Sequence, residues 1–387
     1  MTPDHWLESL FHGEYFSGEF EHLKSLIASL NLNPQQSKII TIAGTNGKGE
    51  TSRILTGYIK KHFSVYTWTS PHLKSVTERF AVDGEEIDSD KLIAIFEKTK
   101  SLLNEELKTL SYFEFLFLSF LVLIEESPPD YIILEVGLGG RLDATNTLDT
   151  DCAVVTSISR DHQHLLGNRL EQILKEKLGI MRVNAPLITS FETQYLRTQT
   201  QKMASQLGVE WMDMFDKENS QVSDSFTQRN TVMAQAICKY FEIPYSQTEV
   251  FHYASRGSVV IDDCEFHLYP SHNIDGLRKL VQFLCAHQYT NYDLVLVSFS
   301  KRSLSELKVM CRILLQLFTV NQIKLTHFEH IKSIDEGSLE KIQEEFKFEI
   351  LQNKHIFSQV NIPGGKVLVT GSNYFLGSLS LPSTIEK

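Results

Sequence analysis

Residues 41–52 read TIAGTNGKGETS, and the fold of the chain follows from what this turn is built to do. The run before it, 38–43 (KIITIA), is β-branched and apolar and predicts a strand, while the residues from Lys48 onward predict a helix. Between the two, Gly44, Thr45, Asn46, Gly47, Lys48 and Gly49 would present backbone N–H groups and a positive helix end, the arrangement that holds phosphate oxygens. Lys48 would neutralise the outer phosphates of a nucleotide. A strict P-loop has Gly at position 42 and Ser or Thr after the lysine, whereas this chain has Ile42 and Gly49, so the pattern alone leaves a plain glycine-rich turn as an alternative. The unexpected letter is Glu50, a carboxylate two residues beyond Lys48.

The same alternation continues outward. Short runs at 65–69, 131–136, 153–158 and 186–189 alternate with helical patterns, the βαβ signature of a parallel sheet. Each run ends in polar or glycine-rich residues, where ligands sit in open α/β sheets. From 214 to 229 the sequence turns polar, a helix is expected at 230–240, and further strands are expected at 265–269, 293–299, 322–328 and 366–370. A chain of 387 residues exceeds one ordinary core. The expected organisation is an α/β domain with a P-loop-type parallel sheet at 1–250, followed by a smaller Rossmann-like α/β domain at 251–387.

Composition narrows the partners. A net charge of −11 argues against a general binder of nucleic-acid backbones, although a local basic pocket could hold a small polyanion. The five cysteines are scattered and odd in number, which suits a reducing compartment and buried free thiols. The first residues, MTPDHWLESLFHGEYF, carry no basic segment and no uninterrupted apolar run, so they do not read as a signal peptide. The longest apolar run, 115–124 (FLFLSFLVLI), falls well short of the ~20 residues that span a bilayer and reads as a buried core helix. A cytoplasmic protein is expected.

Three further stretches follow predicted strands and should gather at the same sheet edge as Lys48: TSPHL at 69–73, EVGLGGRLDATN at 135–146 and RDHQHLLG at 160–167. They supply Ser70, Glu135 and His162, oxygen and imidazole donors that could share one Mg²⁺ bridging nucleotide phosphates. Taken singly each has a structural alternative: Ser70 caps a helix, Glu135 pairs with Arg141, and His162 is a satisfied core histidine.

Together these motifs, with EKLGI at 176–180, resemble in order and approximate spacing the folylpolyglutamate synthase and dihydrofolate synthase family, a branch of the Mur-type ligases. Asn230, Arg256, His272, Asn273 and the late Thr370-Gly371-Ser372 extend the resemblance over nearly the whole chain. It implies an ATP-binding central domain, a Mur-type C-terminal domain, and an ATP-dependent ligase. Such an enzyme joins L-glutamate to a pteroate or folate carboxylate through an acyl phosphate. The resemblance assigns Lys48 and its glycines to the ATP phosphates, and Ser70, Glu135 and His162 to Mg²⁺. Lys177 matches the lysine that the family carbamylates, beside a second metal or the acyl phosphate. Asp143 corresponds to a position near the pterin site, and Arg79 to a loop that closes over the folate. Asn230, Arg256 and His272 correspond to nucleotide-site residues, Asn230 at the start of its helix, where it could equally be an N-cap. Domain closure, a monomer and small-molecule partners are implied as well.

The chain departs from the family on the nucleotide side. Glu50 stands where Ser or Thr is usual; aimed at a triphosphate, it would cost about 4 kcal/mol at ~4 Å and an effective dielectric near 20. In the first turn of a helix it could instead favour the macrodipole and point to solvent, or reach Mg²⁺ through water, with the Thr51 hydroxyl nearby. Tyr269 replaces an Asp, so it could stack on adenine or bond a ribose but supplies no carboxylate; Ala254-Ser255 replaces Pro-Gly, and an Asp- and Lys-rich motif is reduced to SKRS at 300–303, with Lys301 kept. A second expectation therefore stands beside the ligase: a nucleotide- or folate-binding homologue with weak or lost ligase activity.

Overall fold

The run KIITIA is buried from Ile39 to Ala43 on both of its faces, as a central parallel strand covered by helices on each side must be. The computed structural model describes residues 2–11, 20–34, 36–215, 226–246, 257–352, 356–360 and 362–379. The chain divides into two compact units, Met1–Glu249 and Val250–Lys387.

The first unit is built on an eight-stranded sheet: β1 (Lys38–Ala43), β2 (Val65–Trp68), β3 (Phe80–Val82), β4 (Glu85–Glu86), β5 (Tyr131–Glu135), β6 (Cys152–Val155), β7 (Leu187–Thr189) and β8 (Trp211–Asp213). Their order is β4-β3-β2-β5-β1-β6-β7-β8. The six strands from β2 to β8 in that order run parallel, and β3 and β4 turn antiparallel at one edge. Ile42 of β1 pairs with Glu135 of β5 and Ala43 with Val155 of β6, so the loops that leave these three strands emerge side by side at the carboxyl edge. The apolar run at 115–124 lies in the helix Tyr112–Glu126, opened by a capping box between Ser111 and Glu114. It is buried throughout, as expected. Its Phe117 and Phe120 rings stand 5.7 and 5.6 Å from Trp68, which also meets Phe80 edge-on at 5.5 Å. This aromatic packing seats the end of β2, and hence Ser70, against the core.

The second unit holds a six-stranded sheet of β9 (Gly257–Ile261), β10 (Cys264–Pro270), β11 (Leu294–Ser298), β12 (Ile323–Thr326), β13 (Glu349–Leu351) and β14 (Lys366–Gly371), ordered β13-β12-β11-β14-β10-β9. Only β9 is antiparallel, joined to β10 through Asp262 and Asp263, both with positive φ as a two-residue hairpin turn requires. The two mostly parallel sheets match the expected α/β class. Five strands were not foreseen, β3, β4, β8, β9 and β13; all lie towards sheet edges, where short or half-exposed runs carry little apolar pattern.

Beyond β14 the chain crosses β11 closely. Gly371 has φ 113°, and a Cβ there would stand 2.0 Å from the Ser298 carbonyl oxygen, while the Ser372 amide donates to that same oxygen at 2.8 Å. Gly371→Ala is therefore expected to destabilise by about 2 kcal/mol or more. Gly364→Ala, at φ 71° with open space around it, should cost about 1 kcal/mol. Urea midpoints compare the two; equal shifts would contradict the crowding at Gly371.

Candidate active site

The glycine-rich turn is pinned by the loop that leaves β6. The Thr45 amide donates to the Ser157 carbonyl at 2.8 Å, and the Asn46 amide to Ser157 Oγ at 2.9 Å. The Asn46 carbonyl accepts from Thr156 Oγ1 at 2.7 Å, and Ser159 N donates to Thr45 Oγ1 at 3.0 Å. A Cβ on Gly44 would overlap Thr156 Oγ1 at 1.9 Å, so glycine is required for this approach. The roles of Thr156, Ser157 and Ser159 escaped the sequence reading, which placed Thr156 and Ser157 in the strand run at 153–158, whereas β6 ends at Val155. Gly47, at φ 93°, then precedes the helix Lys48–Ile59, so Lys48 occupies its first turn.

Next to this turn, at the end of β5, stands Glu135, 5 % exposed. The Ser70 amide donates to its Oε2 at 3.0 Å, and the space where a Gly49 Cβ would sit is 3.2 Å from that oxygen. Burial pushes the Glu135 carboxyl above its usual range; Lys48, the Ser70 amide, Arg53 and Arg79 pull it back. Ser70 Oγ is buried without a hydrogen-bond partner. An orphaned hydroxyl beside a buried carboxylate is the donor set a hard divalent cation takes, so these residues fit the expected Mg²⁺. Arg141 pairs with Glu176 at 3.0 Å. Ser75, not Ser70, caps the turn Val76–Arg79.

Lys177, in the helix Leu170–Leu178, is 4 % exposed, and its Nζ donates to the Gly44 carbonyl at 2.9 Å. Burial and then Lys48 bring its pKa down to about 7, against the pull of Asp161 and Asp143. His162 lies in the loop beyond β6, exposed, with φ 49°. It is an exposed residue, not a core histidine. Asp161, just before it, is buried and directs its Oδ1 to the His162 amide at 3.0 Å.

Glu50 does not point into solvent. It is 8 % exposed, and its carboxylate accepts from Thr227 Oγ1 at 2.8 Å and Asn230 Nδ2 at 2.6 Å. Both donors belong to the helix Phe226–Tyr240. That helix begins before the expected start at 230, so Asn230 lies inside it and is not an N-cap. The Thr51 hydroxyl turns back to the Gly47 carbonyl at 2.9 Å.

The two residues expected on the substrate side are also built in. Asp143 Oδ1 accepts from Thr145 N and Oγ1 at 3.1 and 2.7 Å, and Oδ2 from Leu138 N at 3.0 Å. The carboxylate thus braces the turn from 137 to 145, and burial raises its pKa against these bonds. Arg79, expected in a closing loop, ends the short turn Val76–Arg79 and is buried. Its Nε donates to His72 Nδ1 at 2.9 Å, and its guanidinium lies over the rings of Tyr112 and Phe113.

In the second unit the carboxyl ends of β10, β11 and β14 meet. His272, after β10, approaches Asn373 Nδ2 at 3.3 Å and its carbonyl accepts from Arg302 Nε at 3.1 Å. Ser300 and Ser372 share a 2.7 Å hydrogen bond, and Asn273 caps the helix Ile274–Ala286 through Gly276 N. Tyr269 packs with Phe283, centroids 5.9 Å apart, against its own unit's core. Lys301 is exposed. Arg256, with Ala254 and Ser255, lies outside the described residues.

No family model matches the chain. Among curated proteins it is similar to the dihydrofolate synthase/folylpolyglutamate synthase of Haemophilus influenzae, 38% identical over 208 residues, 52% of this chain and 47% of that protein. The match thus spans about half the length of the curated relatives. Escherichia coli FolC in complex with ADP shares the fold with a TM-score of 0.81 at 25% identity, over 97% of this chain and 96% of that one. The bifunctional folylpolyglutamate synthase/dihydrofolate synthase of Yersinia pestis, complexed with AMPPNP and a manganese ion, gives 0.79 at 25% identity over 97% of both chains.

The buried Lys177 predicts a pH signature. Its folded pKa of about 7 lies below the ordinary 10.5, so between these values the unfolded chain binds the extra proton and stability rises with pH. Lys177→Met should therefore be stabilising relative to wild type at pH 6, with the advantage shrinking as pH climbs through 9. Urea unfolding across this range tests it; a pH-independent difference would contradict the buried amine.

Proposed function

We propose that the chain, which resembles the folylpolyglutamate synthase/dihydrofolate synthase family in its motifs and in its fold, is an ATP-dependent ligase joining L-glutamate to a pteroate or folate carboxylate. The observation that carries the reading is the pairing of a buried Glu135 carboxylate and an unpartnered Ser70 hydroxyl with Lys48 on a phosphate-type turn. A carboxylate is a poor acyl donor, so the substrate carboxylate attacks the γ-phosphorus of ATP and ADP leaves. The amine of glutamate then attacks the acyl carbon of the resulting acyl phosphate, and phosphate departs.

The turn 44–49 binds the phosphates through its backbone amides, and Lys48 offsets their charge. Ser70, Glu135 and His162 would hold Mg²⁺, which when bound neutralises charge on the transferring phosphoryl group. Lys177, whose pKa of about 7 leaves much of it as the neutral amine, is in the form that adds CO₂, losing a proton to give an anionic carbamate beside the phosphoryl group. Asp143 and Arg79 shape the pterin side. Asn230, His272 and Arg256 serve the nucleotide. The unit Met1–Glu249 acts as the ATP-binding domain and Val250–Lys387 as the Mur-type C-terminal domain.

The protein works as a cytoplasmic monomer on small molecules and not on nucleic acid. Among the described residues no helix is long and apolar enough to cross a membrane. The cysteines are free and mostly buried, and the net charge is −11.

Purified protein with Mg²⁺, ATP and glutamate should release phosphate only when dihydropteroate or tetrahydrofolate is added, and whichever pterin works names the substrate. Lys48→Ala should lower kcat/KM by about 100-fold or more. Nucleotide binding without pterin-dependent release would instead favour a binding homologue that has lost ligation.

A further inference from the structure

Two features of Glu50 need a joint explanation. Its charge sits in the first turn of the phosphate-loop helix, and its carboxylate is hydrogen-bonded to the helix Phe226–Tyr240. Thr227 and Asn230 donate to its two oxygens at 2.8 and 2.6 Å. Asn230 is itself 2 % exposed. Its carboxamide closes on the loop, since a Cβ at Gly47 would stand 2.5 Å from Asn230 Oδ1 and 3.0 Å from the Nδ2 that donates to Glu50. One carboxylate thus links the loop helix Lys48–Ile59 to the helix Phe226–Tyr240, and its partner Asn230 lies against Gly47, the left-handed glycine that precedes the loop helix.

We infer that Glu50 is a positioning residue of the nucleotide site: Thr227 and Asn230 clamp its carboxylate away from the phosphates, and in return it holds Asn230 against Gly47. The inference rests on the nucleotide reading proposed above. It makes the donors necessary because of the charge. With fewer donors, the Glu50 carboxylate can turn toward bound phosphates, and like-charge repulsion follows. A neutral glutamine of the same shape carries no such hazard. In a Glu50→Gln variant the new carboxamide could still accept from Asn230 through its carbonyl and donate to Thr227 through its amide, so the clamp's geometry would survive without the charge.

The test is a set of binding isotherms for Mg²⁺ and a non-hydrolysable ATP analogue with wild type, Thr227→Val, Glu50→Gln and the double variant. Thr227→Val should lose about tenfold against wild type, or roughly 1.4 kcal/mol, and Glu50→Gln alone supplies the reference for the double variant. Adding Glu50→Gln to Thr227→Val should recover most of that loss, and the tenfold loss should shrink at high salt. Thr227→Ala repeats the comparison should the valine variant fold poorly. A purely structural role for Thr227 would produce the same loss in both backgrounds. That result, or no loss at all, overturns the clamp while leaving nucleotide binding intact. Wild type that fails to bind the analogue overturns both the clamp and the reading beneath it.

Discussion

Glu135 ends the strand next to β1 with almost no water around it, and a carboxylate in that position must be compensated. Much of the carboxyl edge of the first sheet can be understood as that compensation. The Ser70 amide reaches in from β2, Lys48 from the turn after β1, and Arg53 and Arg79 add more distant positive charge. Even so, burial dominates and raises the carboxyl. A further positive charge would favour the ionised form of such a carboxyl. Divalent metal would supply it, and a buried, dry setting makes each of these interactions stronger than it would be in water.

The same economy explains the neighbouring lysine. Two cations, Lys48 and Lys177, flank the glycine turn, and Lys48 helps to depress the pKa of Lys177. The chain resolves the conflict by giving them different work. Lys48 stays half-exposed at the helix start, where anions collect. Lys177 is buried and donates to the Gly44 carbonyl, between Asp161 and Asp143, and titrates near neutrality. The turn is thus fixed by hydrogen bonds to Thr156, Ser157 and Lys177.

Much of this was legible in the residues themselves. Central strands announce themselves because both faces are buried, so KIITIA and YIILE read as continuous apolar runs, and candidate site residues lie at and just past their ends. Edge strands were missed for the complementary reason. Roles that depend on where a side chain turns were not legible. Glu50 suggested a solvent-facing carboxylate because its partners lie 177 and 180 residues away in sequence. Arg79 suggested an open loop because nothing local reveals that Tyr112 and Phe113 will cover it. Tyr269 packs with Phe283 of the helix Ile274–Ala286, a contact that no local pattern announces. Spacing marks which residues share an edge, and long-range packing decides which way each one faces.

The central claim is that Glu135 and Ser70 hold a divalent cation against the nucleotide phosphates. It is tested most directly by titrating Mn²⁺ into protein saturated with a non-hydrolysable ATP analogue, following free Mn²⁺ by electron paramagnetic resonance. Wild type should bind one tight ion, and Glu135→Gln should weaken it by at least about tenfold while the fold is retained. Equal Mn²⁺ affinity in the two proteins would contradict the account and leave the buried carboxylate without its cation.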